Sequence, residues 1–396
     1  MSFEISSGQP AEAPGAGGAD RPDPTEWPVD VTDPGDGDPA TEPAPRPVAW
    51  YRRLRPRTIT LVAAATATLA SGAVLFTMPV PYILETPGPT YDTLGSDNGT
   101  ELIQIEQEPS HEITGQLRLT TVGAFGTDPG SLSLFDLVTG YFDKEDALVP
   151  YDLIYPRHSS AEEREAQSAA QMVSSQDAAA AAAFEYLNLK VSVLVAEPQS
   201  EAAKAVLEPA DELLRVNGQA IENFGALKQI MDQVAAGSEV ELEISRDGAT
   251  KTVSLMTVES DEGKAMLGIT VEFRFPVEVK FGLENIGGPS AGSMFALGII
   301  DKLGPDDLAG GRVIAGTGTV DADGTIGPIG GIRQKMVGAK RDGAEVFLAP
   351  IANCEEAAGH EPDGLRVVAV SSLDDAVAAL AALRSGEADQ LSGCSG

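Results

Sequence analysis

GGPSAGSMFALGIID, residues 287–301, sets two glycines and a proline before a serine, follows it with small residues, and runs into an apolar segment. Two readings compete: a turn that happens to hold a serine, and a nucleophile at the mouth of a helix. On the second, Ser290 opens the helix, Ala291 and Gly292 leave room for a substrate backbone, and Gly287 and Gly288 permit close approach. Pro289 fixes the entry. First-turn N–H groups carry partial positive charge and favour a developing oxyanion, so Gly288, Pro289 and Ala291 are the candidate oxyanion or substrate backbone. Glycine–serine turns before helices are common, and this stretch does not decide by itself.

A serine nucleophile needs a base. The chain has three histidines, His111, His158 and His360, none in a recognisable catalytic setting, and Ser290 lies in no G-x-S-x-G elbow. A Ser-His-Asp triad is poorly supported. Lysine is the remaining base. In a helix predicted over 332–341, Lys335 stands three residues after Ile332, four before Ala339 and beside Met336, at the edge of the apolar stripe. A lysine held against apolar surroundings has its pKa lowered, because burial disfavours the charged form. Neutral lysine can take the serine proton. The competing reading is a lysine whose stem covers apolar surface while its head reaches water.

Around these two positions the pattern alternates. MLGITVEF (266–273) and PVEVKFGL (276–283) read as strands. Residues 310–350 read strand, turn, strand, glycine loop, helix, strand, and 365–383 a strand and a closing helix with Ser371 or Ser372 near its start. Upstream come strand-like residues around 102–105 and 117–122 and an apolar helix over 133–142. A helix rich in alanine follows over 156–189, broken near Ser174-Ser175. Strands interleaved with helices point to an α/β or α+β domain.

Residues 190–258 read as a separate module. KVSVLVAEP is a strand, SEAAKAVL a short helix, and PADELLRVNGQAIENF two strands around an Asn217-Gly218 turn. GALKQIMDQVAAG is a helix ending at Gly237, and a hairpin turns at Asp247-Gly248. The order resembles a PDZ domain, and EPADELLRVNGQAI is similar to that family's signature, with Ala210 where glycine is usual. PDZ domains bind C-terminal peptides by strand addition. The resemblance implies a groove beginning at Leu189, Lys190 and Val191; a PDZ module serving only as a spacer is the alternative.

GGPSAG, then PIGGIRQK 45 residues on from serine to lysine, resembles the proteolytic domain of the Lon family of serine peptidases, which use a Ser-Lys dyad. The resemblance makes Ser290 the nucleophile, Lys335 the general base and Thr317 a residue that helps orient them. Thr319 replaces the family's glutamate. SSQDAAAAAAFEYL (174–187) is similar to the family's earlier helix, so the PDZ module would be inserted within a discontinuous protease domain. YILETPGPTYDTLG, following an apolar run, also resembles the membrane-anchored PDZ-containing Lon-like proteases. The family implies ring-like homo-oligomers, hexamers among them.

The rest of the chain sets the compartment. Net charge is −33 over 396 residues, which excludes nucleic acid as a natural partner. Residues 1–47 hold ten acidic residues, two basic ones and ten prolines, a composition that cannot order itself. The basic cluster Trp50-Tyr51-Arg52-Arg53-Leu54-Arg55-Pro56-Arg57 precedes 21 uncharged residues, 58–78. At ~1.5 Å rise each they reach about 31 Å, enough to cross a bilayer. A buried soluble helix and a cleaved signal peptide are the alternatives. Arginines before the run place the N-terminus in the cytoplasm and everything beyond outside. There, Cys354 and Cys394 most simply form a disulfide; with His360 they make a poor zinc site, and no metal or cofactor is expected. No phosphate-binding GxxxxGK[ST] loop occurs, and ATP is not expected outside a cell.

The expected fold class is α+β: an α/β-like Lon proteolytic domain, discontinuous, with an inserted PDZ domain, one N-terminal transmembrane helix and a disordered tail. The expected segments are an acidic tail over 1–50, a transmembrane helix over 58–79, a first protease part over 82–188, the PDZ domain over 189–260, the catalytic core over 265–385 and a C-terminal tail over 386–396. The expected function is ATP-independent cleavage of unfolded or flexible proteins by a single-pass enzyme of the cell membrane. The rival is a membrane-tethered PDZ adaptor whose protease-like domain is inactive.

Overall fold

The computed structural model describes residues 55–107, 109–128, 130–155, 160–283 and 286–394. The acidic tail over 1–50 and His158 lie outside the described residues. The chain divides into units 1–64 and 65–396. The helix Pro56–Phe76 runs from the first into the second; Pro56 stands at its first position, where the missing N–H costs nothing. None of its residues is buried, and it is the one helix among the described residues long and apolar enough to cross a membrane. It begins two residues before the expected span and ends three before its close.

In the unit 65–396 a six-stranded sheet has the order Arg366–Val370, Val346–Pro350, Val313–Gly316, Gln116–Phe125, Tyr82–Asp92, Ala147–Pro150. The first four strands run parallel, and Tyr82–Asp92 is antiparallel to both its neighbours. The parallel half is covered on both faces, which is why Val346–Pro350 is buried at every residue. Residues 82–92 form an inner strand whose register shifts between Pro87 and Thr90, where proline cannot donate to a ladder.

Two helices carry the core. Gly292–Leu303, here the serine helix, has eleven buried residues out of 12. It packs on the long helix Ala161–Tyr186, whose Ala179 to Ala183 are buried small side chains that let the backbones approach. That long helix is continuous through Ser174 and Ser175, against the expected break. The Ser175 hydroxyl donates to Pro289 O at 3.0 Å, so it does not compete for its own helix's carbonyls.

A second sheet is inserted between the segments that build the first. Its order is Ala249–Met256, Glu239–Arg246, Glu212–Val216, Ser192–Pro198, Ile269–Arg274, around its own core of Val193, Val195, Leu213, Leu242 and Ile244. The Asn217-Gly218 and Asp247-Gly248 turns have positive φ at both residues, as two-residue hairpins demand. Ala210 has φ 70: it keeps the left-handed backbone that glycine would supply and bears the steric cost. Ala210→Gly is expected to raise unfolding free energy by about 0.5–1 kcal/mol after allowing for glycine's unfolded-state entropy, read as a higher urea midpoint.

Cys354 and Cys394 are joined, closing a loop with sequence separation 40. Residues 386–394 lie back on the sheet, where the Ala369 N–H donates to Ser392 O at 3.0 Å. Removing the bond with Cys354→Ser is expected to cost about 2–4 kcal/mol, checked by urea unfolding of oxidised wild type beside the variant.

Candidate active site

Ser290 sits half-buried in the turn before the serine helix. Its carbonyl is held by the Gly318 N–H at 2.9 Å and by the Thr317 hydroxyl at 2.9 Å. Thr317 follows the strand Val313–Gly316 and is fully buried. The loop before the serine is pressed on the long helix: a Cβ on Gly287 would stand 2.0 Å from Ser168 Oγ, so a side chain there would force the Ser168 hydroxyl to turn away.

Lys335 comes from the helix Ile332–Arg341, whose N-cap Gly331 has φ 69, a left-handed entry that glycine adopts without penalty. The Lys335 N–H closes the first turn onto Gly331 O at 3.0 Å. Ile332, Met336 and Ala339 anchor that helix in a core with Phe347 and Ala349, and the same register buries Lys335 to 2 % exposure. Its Nζ lies 2.8 Å from Ser290 Oγ and 2.9 Å from Thr317 Oγ1. Burial lowers its pKa to about 7, against a smaller upward pull from Glu85.

This geometry has a definite electronic sense. A neutral amine has two N–H donors and one lone pair. When one N–H donates to Thr317, whose own hydroxyl donates to Ser290 O, the lone pair is left for the Ser290 hydroxyl. Thr317→Val removes this orientation and leaves a buried donor unsatisfied, worth about 1–3 kcal/mol, so kcat of any reaction that Ser290 begins is expected to fall roughly 10- to 100-fold with the fold intact by circular dichroism.

Glu85 was invisible to sequence reasoning, being merely the first charge after the apolar run. Its carboxylate approaches the start of the lysine helix, with Oε2 3.5 Å from where a Gly331 Cβ would stand. Burial and then Glu356 raise its pKa, and Lys335 pulls it down. A carboxylate acting on Lys335 thus comes from a strand, although Thr319 stands at the family's glutamate position. Because its negative charge favours protonated Lys335, Glu85→Gln is expected to shift the acidic limb of a kcat/KM pH profile to lower pH; a shift upward would contradict it.

Of the three candidate oxyanion or substrate-backbone residues, Gly288 and Pro289 have no free N–H. The Gly288 N–H is spent on Ser168 O at 3.1 Å, and Pro289 has none to give. Both shape the loop and leave no N–H for an oxyanion. Among the described residues, the N–H groups of Ser290 and Ala291 have no partner, and these point from the head of the serine helix.

Leu189, Lys190 and Val191, the residues expected to begin a peptide groove, border no open sheet edge. Val191 is buried in the main core, and Ser192–Pro198, which follows Leu189 and Lys190, has strands on both sides. It offers no edge. Ile269–Arg274 is the end strand on that side of the sheet, and with the helix Phe224–Met231 it borders a groove of about 1310 Å³ lined by Phe224, Met231, Val271 and Phe273. A strand some seventy residues later in the chain covers the edge that local sequence left open. Lys228 of that helix pairs with Asp323, in the hairpin that follows Thr317 and Gly318.

His111, Asp301 and Asp307 bring one ligand atom each within 4.8 Å of one another, at the far end of the serine helix. The Asp301 oxygens are engaged, one with the Leu308 N–H at 2.7 Å and one with His111 Nε2 at 3.3 Å, so the group serves as a structural tie. Neither described histidine approaches Ser290.

Residues 243–382, which contain Ser290, Thr317 and Lys335, match the model of the Lon protease (S16) C-terminal proteolytic domain, and residues 169–257 match a PDZ domain. The chain joins a PDZ domain to a Lon-type proteolytic domain. Lon protease 2 of Bacillus subtilis is 34% identical over 122 residues, covering 31% of this chain and 21% of that one. The Lon protease of Helicobacter pylori is 28% identical over 171 residues, 41% of this chain and 20% of that one. A probable periplasmic DegP-like serine endoprotease of Marinomonas is 31% identical over 99 residues, 22% of this chain and 21% of that one. The chain therefore spans about a fifth of the length of these relatives. The two matched ranges overlap inside the PDZ hairpin, whereas the PDZ sheet continues to Arg274, because its last strand follows the loop in which the PDZ match ends.

Proposed function

We propose that this chain is a membrane-anchored serine endopeptidase that works without ATP on unfolded or flexible proteins. The observation that carries the reading is the 2.8 Å approach of a buried, pKa-lowered Lys335 to Ser290 Oγ. Ser290 Oγ attacks the scissile carbonyl carbon while its proton passes to Lys335 Nζ. The oxyanion is received by the Ser290 and Ala291 N–H groups. The Lys335 ammonium returns the proton to the leaving amine as the C–N bond breaks, leaving an ester on Ser290. Lys335 then takes a proton from water, hydroxide adds to the ester carbonyl, and Ser290 leaves with the proton that Lys335 returns.

The helix Pro56–Phe76 supports the anchor, and the arginines before it support a cytoplasmic N-terminus. The Cys354–Cys394 bond supports an oxidising, extracytoplasmic compartment for the protease and PDZ parts. The groove beside Ile269–Arg274 is the docking place for C-terminal peptides, and a ring of copies, six in the family's usual form, is the proposed assembly.

A fluorophosphonate probe tests the reading. The full chain in detergent is incubated with the probe and, separately, with unfolded casein. Labelling at Ser290, lost in Lys335→Met, together with casein cleavage is the expected result. An intact, unlabelled Ser290 and uncut casein would instead make the chain an adaptor.

A further inference from the structure

We propose that the face formed by the helix Leu134–Phe142 and the short helix Tyr151–Ile154 rests on the bilayer beside the apolar helix, which sets the Ser-Lys pair close to the membrane surface. Only Gly140 of the longer helix is buried. It packs so tightly on Leu84 that a Cβ there would lie 2.5 Å from a Leu84 methyl. The opposite side must therefore face outward. Phe135 and Phe142, seven residues apart, share one side of the helix, and large apolar groups gather there: Phe135 is 54% exposed, Tyr141 73%, Phe142 78% and, on the short helix, Leu153 77%. An apolar face of this kind marks a partner.

Continuity says which partner. The apolar helix ends at Phe76, and the Phe76 ring lies 6.0 Å from that of Phe135. The chain leaving that helix is stitched to this face, with the Leu134 N–H donating to Met78 O and the Val80 N–H to Leu132 O, both at 2.9 Å. The exposed aromatics thus start where the apolar helix stops, at the level where Tyr and other aromatic rings sit between tails and headgroups. The inference rests on the anchor reading of the previous section. Asp143, Lys144, Glu145 and Asp146 follow Phe142, and the three carboxylates outweigh the one lysine, so the face suits zwitterionic lipid better than anionic lipid.

The consequence concerns substrates. The Gln334 side chain donates to Glu145 O at 3.1 Å, which places the first turn of the lysine helix directly behind this face. With the face on lipid, polypeptide emerging from the bilayer reaches the pair ahead of chains free in solution.

The test uses the full chain reconstituted in phosphatidylcholine vesicles. Cys354 and Cys394 are bonded to each other, so Phe142→Cys and, as a control on an exposed PDZ turn, Asp247→Cys each present one thiol for a fluorophore. Doxyl-labelled lipid is expected to quench the dye at 142 and not at 247. Vesicle flotation that succeeds with no quenching at 142 overturns the docking and leaves the anchor standing; failed flotation removes the anchor itself. Self-quenching between labelled copies at 142 without lipid quenching assigns the face to a second copy and also overturns the proposal. In the second arm, Phe135→Ser with Phe142→Ser is expected to slow cleavage of a vesicle-tethered unfolded peptide about tenfold while soluble casein is cut at the wild-type rate. Equal rates on both substrates would contradict the placement.

Discussion

Replacing Lys335 by methionine is expected to lower peptide-bond hydrolysis by about 10⁴-fold or more, the scale on which loss of one member of a nucleophile–base unit disables the whole. Methionine fills the buried volume without a lone pair. Ser290 then keeps its proton at every accessible pH, and the leaving amine has no acid. Ser290→Ala should fall to the same level, and the double variant no further, because the two side chains act on one proton. In the intact protein the rate should rise with pH through a midpoint near Lys335's value of about 7, since only the neutral amine accepts the serine proton. Casein cleavage and a short fluorogenic peptide, followed from pH 5 to 9, read all of this. Substantial turnover by Lys335→Met would end the dyad mechanism.

The same substitution is expected to make the protein more stable at neutral pH. Lys335 titrates near 7 in the folded chain, lowered mainly by burial, and near 10.4 once unfolded. Between these values the unfolded state binds more protons than the native one, so stability rises with pH through that window and is lowest below it. The full linkage is roughly 5 kcal/mol at pH 7 and below. Lost hydrogen bonds to Ser290 and Thr317 offset about 1–3 kcal/mol of it. Lys335→Met should therefore gain about 2–4 kcal/mol at pH 7 by urea unfolding, and the gain should shrink as pH rises and become a loss of about 1–3 kcal/mol by about pH 10, where only the missing hydrogen bonds count. A gain independent of pH would mean that the amine is not what the fold bears at this position. Stability is thus given up locally to hold an amine whose pKa lies at about 7.

Much of this site is legible in local sequence. A serine preceded by GGP and followed by small residues reads as a helix mouth because chain sterics act over a few residues. Lys335 reads as inward-facing because helical period ties it to Ile332, Met336 and Ala339. The Asn217-Gly218 turn and a serine cap at 371 or 372 are local in the same way; the cap is Ser372, whose hydroxyl accepts from the Asp375 N–H at 3.1 Å. The long alanine-rich helix was legible in type but not in continuity: whether Ser175 breaks it depends on where its hydroxyl finds a partner, and that partner is Pro289, 114 residues away.

What the sequence by itself determined is the chemistry carried by each short segment: a serine at a helix mouth, a lysine on an apolar stripe, an uncharged run of membrane length, an inserted strand-rich module. Tertiary structure alone decided which groups meet. It brought Glu85 toward the lysine, spent the Gly288 amide on the long helix while leaving those of Ser290 and Ala291 unpartnered, and placed Ile269–Arg274 at the end of the PDZ sheet beside the strand that follows residues 189–191. The division has one physical reason. Backbone sterics and helical period are set by neighbours in the chain, whereas desolvation, unsatisfied donors and free strand edges depend on which distant segments pack against them.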